Sequence, residues 1–239
     1  MKWQSLKYST INIVCFFSAI FMCGSAALVL AVEPMTEDQI EAWFNDDFEE
    51  RALAVNEGKL EFLSQAPDKP AHHSHNTFIL DNNSLVSGWV NLIQCHTKLD
   101  AVPDAQIVYR YRRMKNLRVE SYSDIKRTWV DGNSVQLKDV QPGAKLCVRA
   151  EVRILYSLPD GTFVLKNGPF HRKFLDGYYP MQVTLTIHFP DDSIRFKSVT
   201  PQIQPGLTVR QEKGKLDLNA WFEGELTTEI RFTPIAFHQ

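Results

Sequence analysis

The stretch AKLCVRAEVRI at residues 144–154 is the clearest indication of the fold. Apolar residues occupy every second position, which is the pattern of a β-strand with one face in a hydrophobic core. The inward set is Leu146, Val148, Ala150, Val152 and Ile154, and the opposite set is Lys145, Cys147, Arg149, Glu151 and Arg153. Cys147 is therefore predicted to lie on the outer face of its strand.

Similar strand-like segments extend in both directions from this stretch. Short runs of alternating or β-branched residues are separated by turns such as Pro142-Gly143 and Pro205-Gly206. Many short strands at this spacing predict a mainly β fold, either a sandwich or a barrel. We predict a β-sandwich domain over residues 59–166 and an extra sheet-rich C-terminal unit over residues 181–237, packed on the first.

A local resemblance narrows this expectation. The segment VQPGAKLCVRA at residues 140–150 resembles the strand of fibronectin type III modules that follows a Pro-Gly turn. The inward aromatic position of that family falls on Leu146, where this chain lacks the usual Tyr, and the next inward positions fall on Val148 and Ala150. The resemblance implies an Ig-like, antiparallel β-sandwich and carries no information about activity.

Residues 36–57 predict one amphipathic helix before the strands. Thr36 and Gln39 fit a capping box, in which each side chain bonds the backbone amide of the other residue. Apolar residues then recur at steps of three and four, and acidic residues fill the other side. The helix is expected to bury its apolar face against another part of the protein.

The first 31 residues have the order of a targeting segment. Lys2 and Lys7 precede an apolar run from Ile13 to Val32 that contains no charged residue. Cleavage after Ala31 would make it a signal peptide, whereas retention would make it a single membrane anchor with the remainder outside. Both alternatives place the rest of the chain in the periplasm or outside the cell, and the second ties it to the inner membrane.

Two cysteines remain in the predicted exported part, Cys95 and Cys147. In an oxidising compartment they are a candidate disulfide. Because Cys147 is predicted to face outward, we expect a bridge between neighbouring strands on an outer face. The alternative is two unpaired thiols.

Residues 166–180 predict a binding loop. This segment lacks regular alternation and combines aromatic, basic and histidine side chains between two strands, as binding loops on rigid scaffolds do. The candidate binding residues are Phe170, His171, Arg172, Tyr178 and Tyr179. The alternative is a connection whose aromatic residues cover a seam.

A basic stripe on a predicted long strand, Ala105 to Tyr122, is a second candidate. Arg110 and Arg112 are its candidate binding residues, on the face opposite Tyr109 and Tyr111. Because the chain is predicted to be exported, we expect an anionic envelope polymer or lipid phosphates and no nucleic acid. The alternative is an outer sheet face balanced by nearby acids.

Histidines provide the weakest candidate. His73 and His75 point the same way on an extended chain, and His96 could supply a third imidazole for zinc or copper. They lie at the end of the linker-like stretch 65–74, after Pro70, so a solvated segment without a metal is the preferred interpretation.

Catalytic and cofactor motifs are absent from the sequence: it has no nucleophile elbow, His-Glu-x-x-His, phosphate-binding glycine loop or Cys-x-x-Cys. No cofactor is therefore expected. We predict a non-enzymatic binding or assembly module of the cell envelope whose partner is an envelope polymer or another envelope protein. The alternatives are an exported hydrolase acting on an envelope polymer or polysaccharide, and a purely structural subunit.

Overall fold

A computed structural model describes residue 36, residues 56–174 and residues 176–235. The predicted targeting segment 1–31 and nearly all of the predicted helix 36–57 lie outside these residues. Contacts divide the chain into two compact units, Met1–Phe48 and Glu49–Gln239, and every strand of the described residues lies in the second. Within the described ranges, no helix is long and apolar enough to cross a membrane.

The fold is mainly β, as predicted, with one short helix among the described residues. The elements are β1 (Glu61–Phe62), β2 (His72–Ile79), α1 (Asn82–Ser87), β3 (Trp89–Thr97), β4 (Asp104–Val108), β5 (Met114–Asp131), β6 (Ser134–Arg153), β7 (Leu155–Ser157), β8 (Phe163–Phe170), β9 (Arg172–Phe174), β10 (Gly177–Tyr179), β11 (Met181–His188), β12 (Ile194–Thr200), β13 (Leu207–Glu212), β14 (Lys215–Glu223) and β15 (Leu226–Pro234).

Two main sheets contain most of the strands. The larger has the order β1-β14-β11-β2-β3-β6-β4, with β13 also beside β14 and β5 also beside β6. The smaller has the order β12-β15-β8-β7, and β9 pairs only with β10. The predicted antiparallel arrangement is found in every described strand pair except one, because β2 and β11 are parallel. A parallel pair requires a long crossover, and the intervening strands provide it.

Strands from both predicted β units mix in each sheet. In the larger sheet β11 lies between β2 and β14, and in the smaller sheet β15 lies beside β8. One hydrophobic core contains side chains from both sheets, including Phe78, Leu92 and Leu218 from the larger and Leu165 and Phe232 from the smaller. The segment 166–181, which separates the two predicted β units in sequence, therefore does not separate one sheet from the other.

The hairpin of β5 and β6 bends strongly. Val108 pairs with Ser134 near one end of β6, and Met114 pairs with Val152 near the other. The six residue steps from Val108 to Met114 span at most about 22 Å. A straight strand from Ser134 to Val152 would measure about 60 Å, so β6 must bend to bring its two ends together. Three register shifts in β5 locate the bends, which enclose a second, smaller core around Val135.

This bend explains why the prediction of one strand from Ala105 to Tyr122 is wrong. β4 and β5 pair with opposite edges of β6, so the chain must leave the ladder to cross between them. Residues 109–113 make that crossing and belong to no strand.

Two other boundaries also differ from the sequence pattern. The predicted linker 65–74 overlaps β2, which begins at His72 and lies inside the larger sheet. The expected solvated histidine segment is thus a central strand, whose buried positions include the polar residues Ser74 and Asn76. Residues 82–87 form α1, where the sequence pattern predicted no helix, because the Asp81 carboxylate caps that helix and Gly88 terminates it.

The predicted disulfide joins Cys95 and Cys147. These residues are direct partners on neighbouring strands β3 and β6, with their Cα atoms 4.1 Å apart. The predicted sidedness is confirmed, because Leu146 and Val148 are fully buried whereas Cys147 lies on the opposite, partly exposed face. The bridge therefore fixes the register of the two strands from outside the core.

Candidate functional site

A cleft of about 870 Å³ lies beside β4. One wall is the continuous run of residues 104–111, and the other is the continuous run 167–174. The floor includes His72 and Met181 from β2 and β11. This volume lies within the range of roughly 300–1,000 Å³ that is usual for ligand pockets.

Both walls face the cleft with a strand edge. A cavity over the face of a strand would contact alternate residues, because side chains alternate between the two faces. Here each residue from Asp104 to Tyr111 lines the cleft, as does each residue from Asn167 to Phe174. The cleft therefore runs between the edge of β4 with its extension on one side and the end of β8 with β9 on the other.

Two side-chain bridges tie these walls together. The Tyr111 hydroxyl donates to Asn167 Oδ1 at 2.9 Å. The Arg172 guanidinium binds Asp100 in a bidentate manner, with Nε at 3.0 Å from Oδ2 and Nη2 at 2.5 Å from Oδ1. Bidentate pairs of this kind are geometrically specific as well as strong. The walls are thus held at a fixed separation.

Three buried polar atoms of the cleft residues have no hydrogen-bond partner in the described part of the chain. They are the Tyr109 hydroxyl, Asn167 Nδ2 and His171 Nδ1. Tyr109 is 3% exposed and Asn167 is 2% exposed. An unsatisfied buried polar atom costs about 1–3 kcal/mol, so three around one cleft require an explanation.

The protonation of these groups follows from their burial. Burial raises the pKa of the Tyr109 hydroxyl, and the neighbouring Tyr111 raises it further, so Tyr109 keeps its proton at neutral pH. Burial also lowers the pKa of His171 more than Glu225, 3.8 Å away, raises it. The oxygen of the Asn167 amide accepts from Tyr111, and Nδ2, like any amide nitrogen, can only donate.

A chain of neutral hydrogen bonds crosses the floor. Gln94 Nε2 donates to Asn76 Oδ1 at 2.5 Å, which leaves Gln94 Oε1 to accept from His96 Nε2 at 3.0 Å. His96 Nδ1 then accepts from His72 Nε2 at 2.9 Å, so this network assigns both tautomers. Burial lowers the pKa of His72 to about 4 and that of His96 well below its usual value.

The predicted binding loop is more ordered than its sequence suggests, because it contains the end of β8 and the hairpin of β9 and β10. Phe170, His171 and Arg172 line the cleft. Tyr178 contacts the His171 ring edge-on and donates to Glu225 at 2.9 Å, whereas Tyr179 donates to Asp176 at 2.5 Å. The two tyrosines support the wall from behind and do not line the cleft.

Arg172 holds this hairpin in place. Besides the Asp100 pair, its Nη1 donates to the Pro180 carbonyl at 3.3 Å, and its guanidinium lies 5.4 Å from the Phe174 ring centroid and 5.5 Å from that of Tyr179. Its donors are therefore largely occupied within the protein. Its geometry indicates a positioning role for Arg172 instead of a free ligand-binding charge.

Gly168 allows the wall to approach β15. Its φ is +113°, a conformation that other residues rarely adopt, and a Cβ here would lie 2.6 Å from the Leu226 carbonyl oxygen. The conformation and the close contact therefore explain why glycine occupies the middle position of the Asn167-Gly168-Pro169 sequence. It places Asn167 beneath the cleft and turns the chain toward His171.

Other predicted site residues are separated by the fold. Arg110 lines the cleft, whereas Arg112 lines a small pocket of about 170 Å³ with Arg113 and Arg153, so the basic stripe is divided. The two arginines were expected to share one strand face, but the strand is broken where they lie.

The proposed imidazole triad is separated as well. His73 and His75 do share a face, and both contact the Thr184 hydroxyl, at 2.9 and 2.6 Å. His96 pairs with Ser74, so it points to the opposite face of the sheet. No group of three metal-binding side chains occurs among the described residues.

Sequence reasoning missed Tyr109, Asn167, His72 and Asp100 as site residues. Tyr109 and Tyr111 were assigned to the face opposite Arg110, which was the only signal available for them. Asn167 fell within the predicted binding loop 166–180 but was not among its candidate binding residues. Their convergence depends on the bent hairpin, which no local pattern indicates.

No protein-family model matches the chain, and a search of curated proteins finds no significant match. The functional interpretation therefore depends on the geometry of the cleft.

Proposed function

We propose that the protein is a non-enzymatic, exported binding module of the cell envelope that holds its ligand in the cleft between β4 and β9. The observation that carries this proposal is the set of three buried polar atoms around one cavity, on Tyr109, Asn167 and His171, without partners in the described residues. Native proteins satisfy nearly all such groups, so three of them in the walls of one cleft mark it as the best candidate for a binding site.

The ligand should combine hydrogen-bond acceptors with an apolar part. Asn167 Nδ2 requires an acceptor, and Arg110 and Lys173 add positive charge at the same cleft. Apolar side chains line the rest, among them Ile107 and Phe170. Concave, mainly apolar sites with a few placed polar groups are typical of specific ligand binding.

Export and the finer fold class belong to the same proposal. The charge pattern of residues 1–31 and the Cys95–Cys147 disulfide support an oxidising compartment outside the cytoplasm. An Ig-like or fibronectin-like sandwich is supported by the core common to both sheets and by the inward positions of Leu146 and Val148.

A ligand panel measured with two matched tyrosine variants tests the function. The full chain, held in lipid nanodiscs, is titrated calorimetrically with peptidoglycan fragments, neutral and anionic polysaccharides, and terminally blocked peptides. We expect saturable, stoichiometric binding to one class. Tyr109→Phe should weaken that binding about 5- to 10-fold, the value of roughly one buried hydrogen bond.

Tyr122→Phe is the control, because Tyr122 is 49% exposed and lies away from the cleft. Equal affinities for the two variants would argue against the cleft as the site. Turnover of a polymer that a single carboxylate substitution abolishes would identify an exported hydrolase instead. A constant protein partner bound outside the cleft, without any ligand, would identify a structural subunit.

A further inference from the structure

β4 is an edge strand whose free side faces the cleft. It pairs with β6 and, among the described residues, with no other strand. The opposite wall also has an uncovered edge. β7 pairs only with Phe163–Leu165 of β8, and the Lys166 amide donates to the Ile154 carbonyl at 3.0 Å, which leaves residues 167–170 without a strand on that side. The cleft is therefore bordered by two strand edges.

The hydrogen-bond register identifies which backbone groups of β4 are free. The Pro103 carbonyl accepts from the Asp139 amide at 2.7 Å, and the Tyr109 amide donates to the Asn133 carbonyl at 2.9 Å. Backbone groups alternate between the two edges of a strand, so Ala105 and Ile107 also face β6. The amides and carbonyls of Asp104, Gln106 and Val108 consequently point away from β6.

Charge at the cleft favours an acidic occupant. Arg110 and Lys173 line it, and neither forms an ion pair within the described residues. Of the acids that line the cleft, Asp100 pairs with Arg172 and Asp104 pairs with Lys138. Arg110 therefore remains to attract a carboxylate, whereas the Lys173 ammonium lies 4.9 Å from the centroid of the Tyr178 ring, behind the wall.

From these observations we infer that the ligand is an extended segment of a partner protein, carrying at least one acidic side chain, which adds as a strand to the free edge of β4. This inference rests on the proposed binding function and specifies its ligand. Main-chain hydrogen bonds to Asp104, Gln106 and Val108 supply affinity, as in other cases of strand addition. The Asn167 amide and Arg110 supply selectivity for the side chains.

A peptide with altered backbone amides gives the most direct test. Random ten-residue peptides displayed on phage are selected against the full chain in nanodiscs, and the enriched peptide is synthesised in two forms. One form is N-methylated at its even residues and the other at its odd residues. Because an added strand uses alternate amides, one form should lose affinity at least tenfold and the other should bind nearly as well as the parent.

Gln106 provides the matched substitutions in the protein. Gln106→Pro removes an amide that points away from β6, which an edge strand tolerates, and should weaken peptide binding at least tenfold. Gln106→Ala keeps the amide and removes only an exposed side chain, so its affinity should be unchanged. Thermal unfolding of both variants verifies that the β4–β6 pairing is intact.

The outcomes separate this inference from the function on which it rests. If no acid-containing peptide is enriched, if both N-methylated forms bind equally, or if Gln106→Pro binds as Gln106→Ala does, strand addition is refuted. Binding of a polysaccharide or peptidoglycan fragment that Tyr109→Phe weakens would then leave the cleft as a binding site with another ligand. Insensitivity of every ligand to Tyr109→Phe would refute both.

Discussion

Two neighbouring tyrosines should respond in opposite ways to the same substitution. Tyr109 and Tyr111 stack with their ring centroids 6.4 Å apart, and both line the cleft. The Tyr109 hydroxyl is buried without a partner in the described residues, whereas that of Tyr111 donates to Asn167. The Tyr→Phe substitution thus removes an unsatisfied group in one case and a hydrogen bond in the other.

The magnitudes follow from those environments. Relief of an unsatisfied buried hydroxyl should raise the unfolding free energy of ligand-free Tyr109→Phe by about 1–3 kcal/mol. Tyr111→Phe leaves Asn167 Oδ1 without its donor and should lower it by about 1–3 kcal/mol. Urea unfolding at pH 7.5, monitored by fluorescence, measures both shifts against the wild-type chain.

Alkaline pH gives a second measurement of the same groups. Burial raises the pKa of both tyrosines, so above pH 10 the unfolded chain loses these protons first. Stability should therefore fall there by up to about 1.4 kcal/mol per pH unit for each tyrosine, and each Phe variant should show a smaller slope. Destabilisation by Tyr109→Phe at pH 7.5 would mean that this hydroxyl has a partner, and the argument for the ligand site would fail.

Two further predictions concern the scaffold. The cysteines of the Cys95–Cys147 bridge are 52 residues apart, so its reduction should lower the unfolding free energy by about 4 kcal/mol on the chain-entropy model. The control is a Cys95→Ala, Cys147→Ala double variant, whose unfolding free energy should not change with reductant. Because burial lowers the pKa of His72 to about 4 and that of His96 well below its usual value, the unfolded chain binds protons first on acidification. The unfolding free energy should thus fall below pH 6.5 by up to about 1.4 kcal/mol per pH unit for each histidine, and it should fall less steeply in His72→Asn. A urea midpoint that does not change between pH 6.5 and 4.5 would contradict this prediction.

The sequence predicted those features that depend on local alternation. The apolar period in residues 144–154 correctly placed Leu146 inside and Cys147 outside, and the bridge to Cys95 followed from that sidedness and the expected compartment. It failed at β2, because the buried positions of that strand carry Ser74 and Asn76, whose hydrogen bonds replace the expected hydrophobic signal.

The site could be predicted only in part for a related reason. Phe170, His171 and Arg110 were selected because aromatic and basic residues cluster near them in sequence, and they do line the cleft. Asn167 and Tyr109 are 58 positions apart by number and meet only because the hairpin of β5 and β6 folds over. A bend produced by β-bulges hardly changes the hydropathy pattern of a strand. The periodicity of the sequence therefore could not predict that Tyr109 and Asn167 line the same cleft.

The parallel pairing of β2 with β11 has a consequence for how the chain matures. Its partners, such as His75 and Thr184, are 109 residues apart, so the central contact of the larger sheet forms only after most of the chain has been synthesised. Such non-local topologies fold slowly because loop closure must precede the stabilising contacts. During that interval the edge of β2 lacks its partner strand and is open to pairing with other chains.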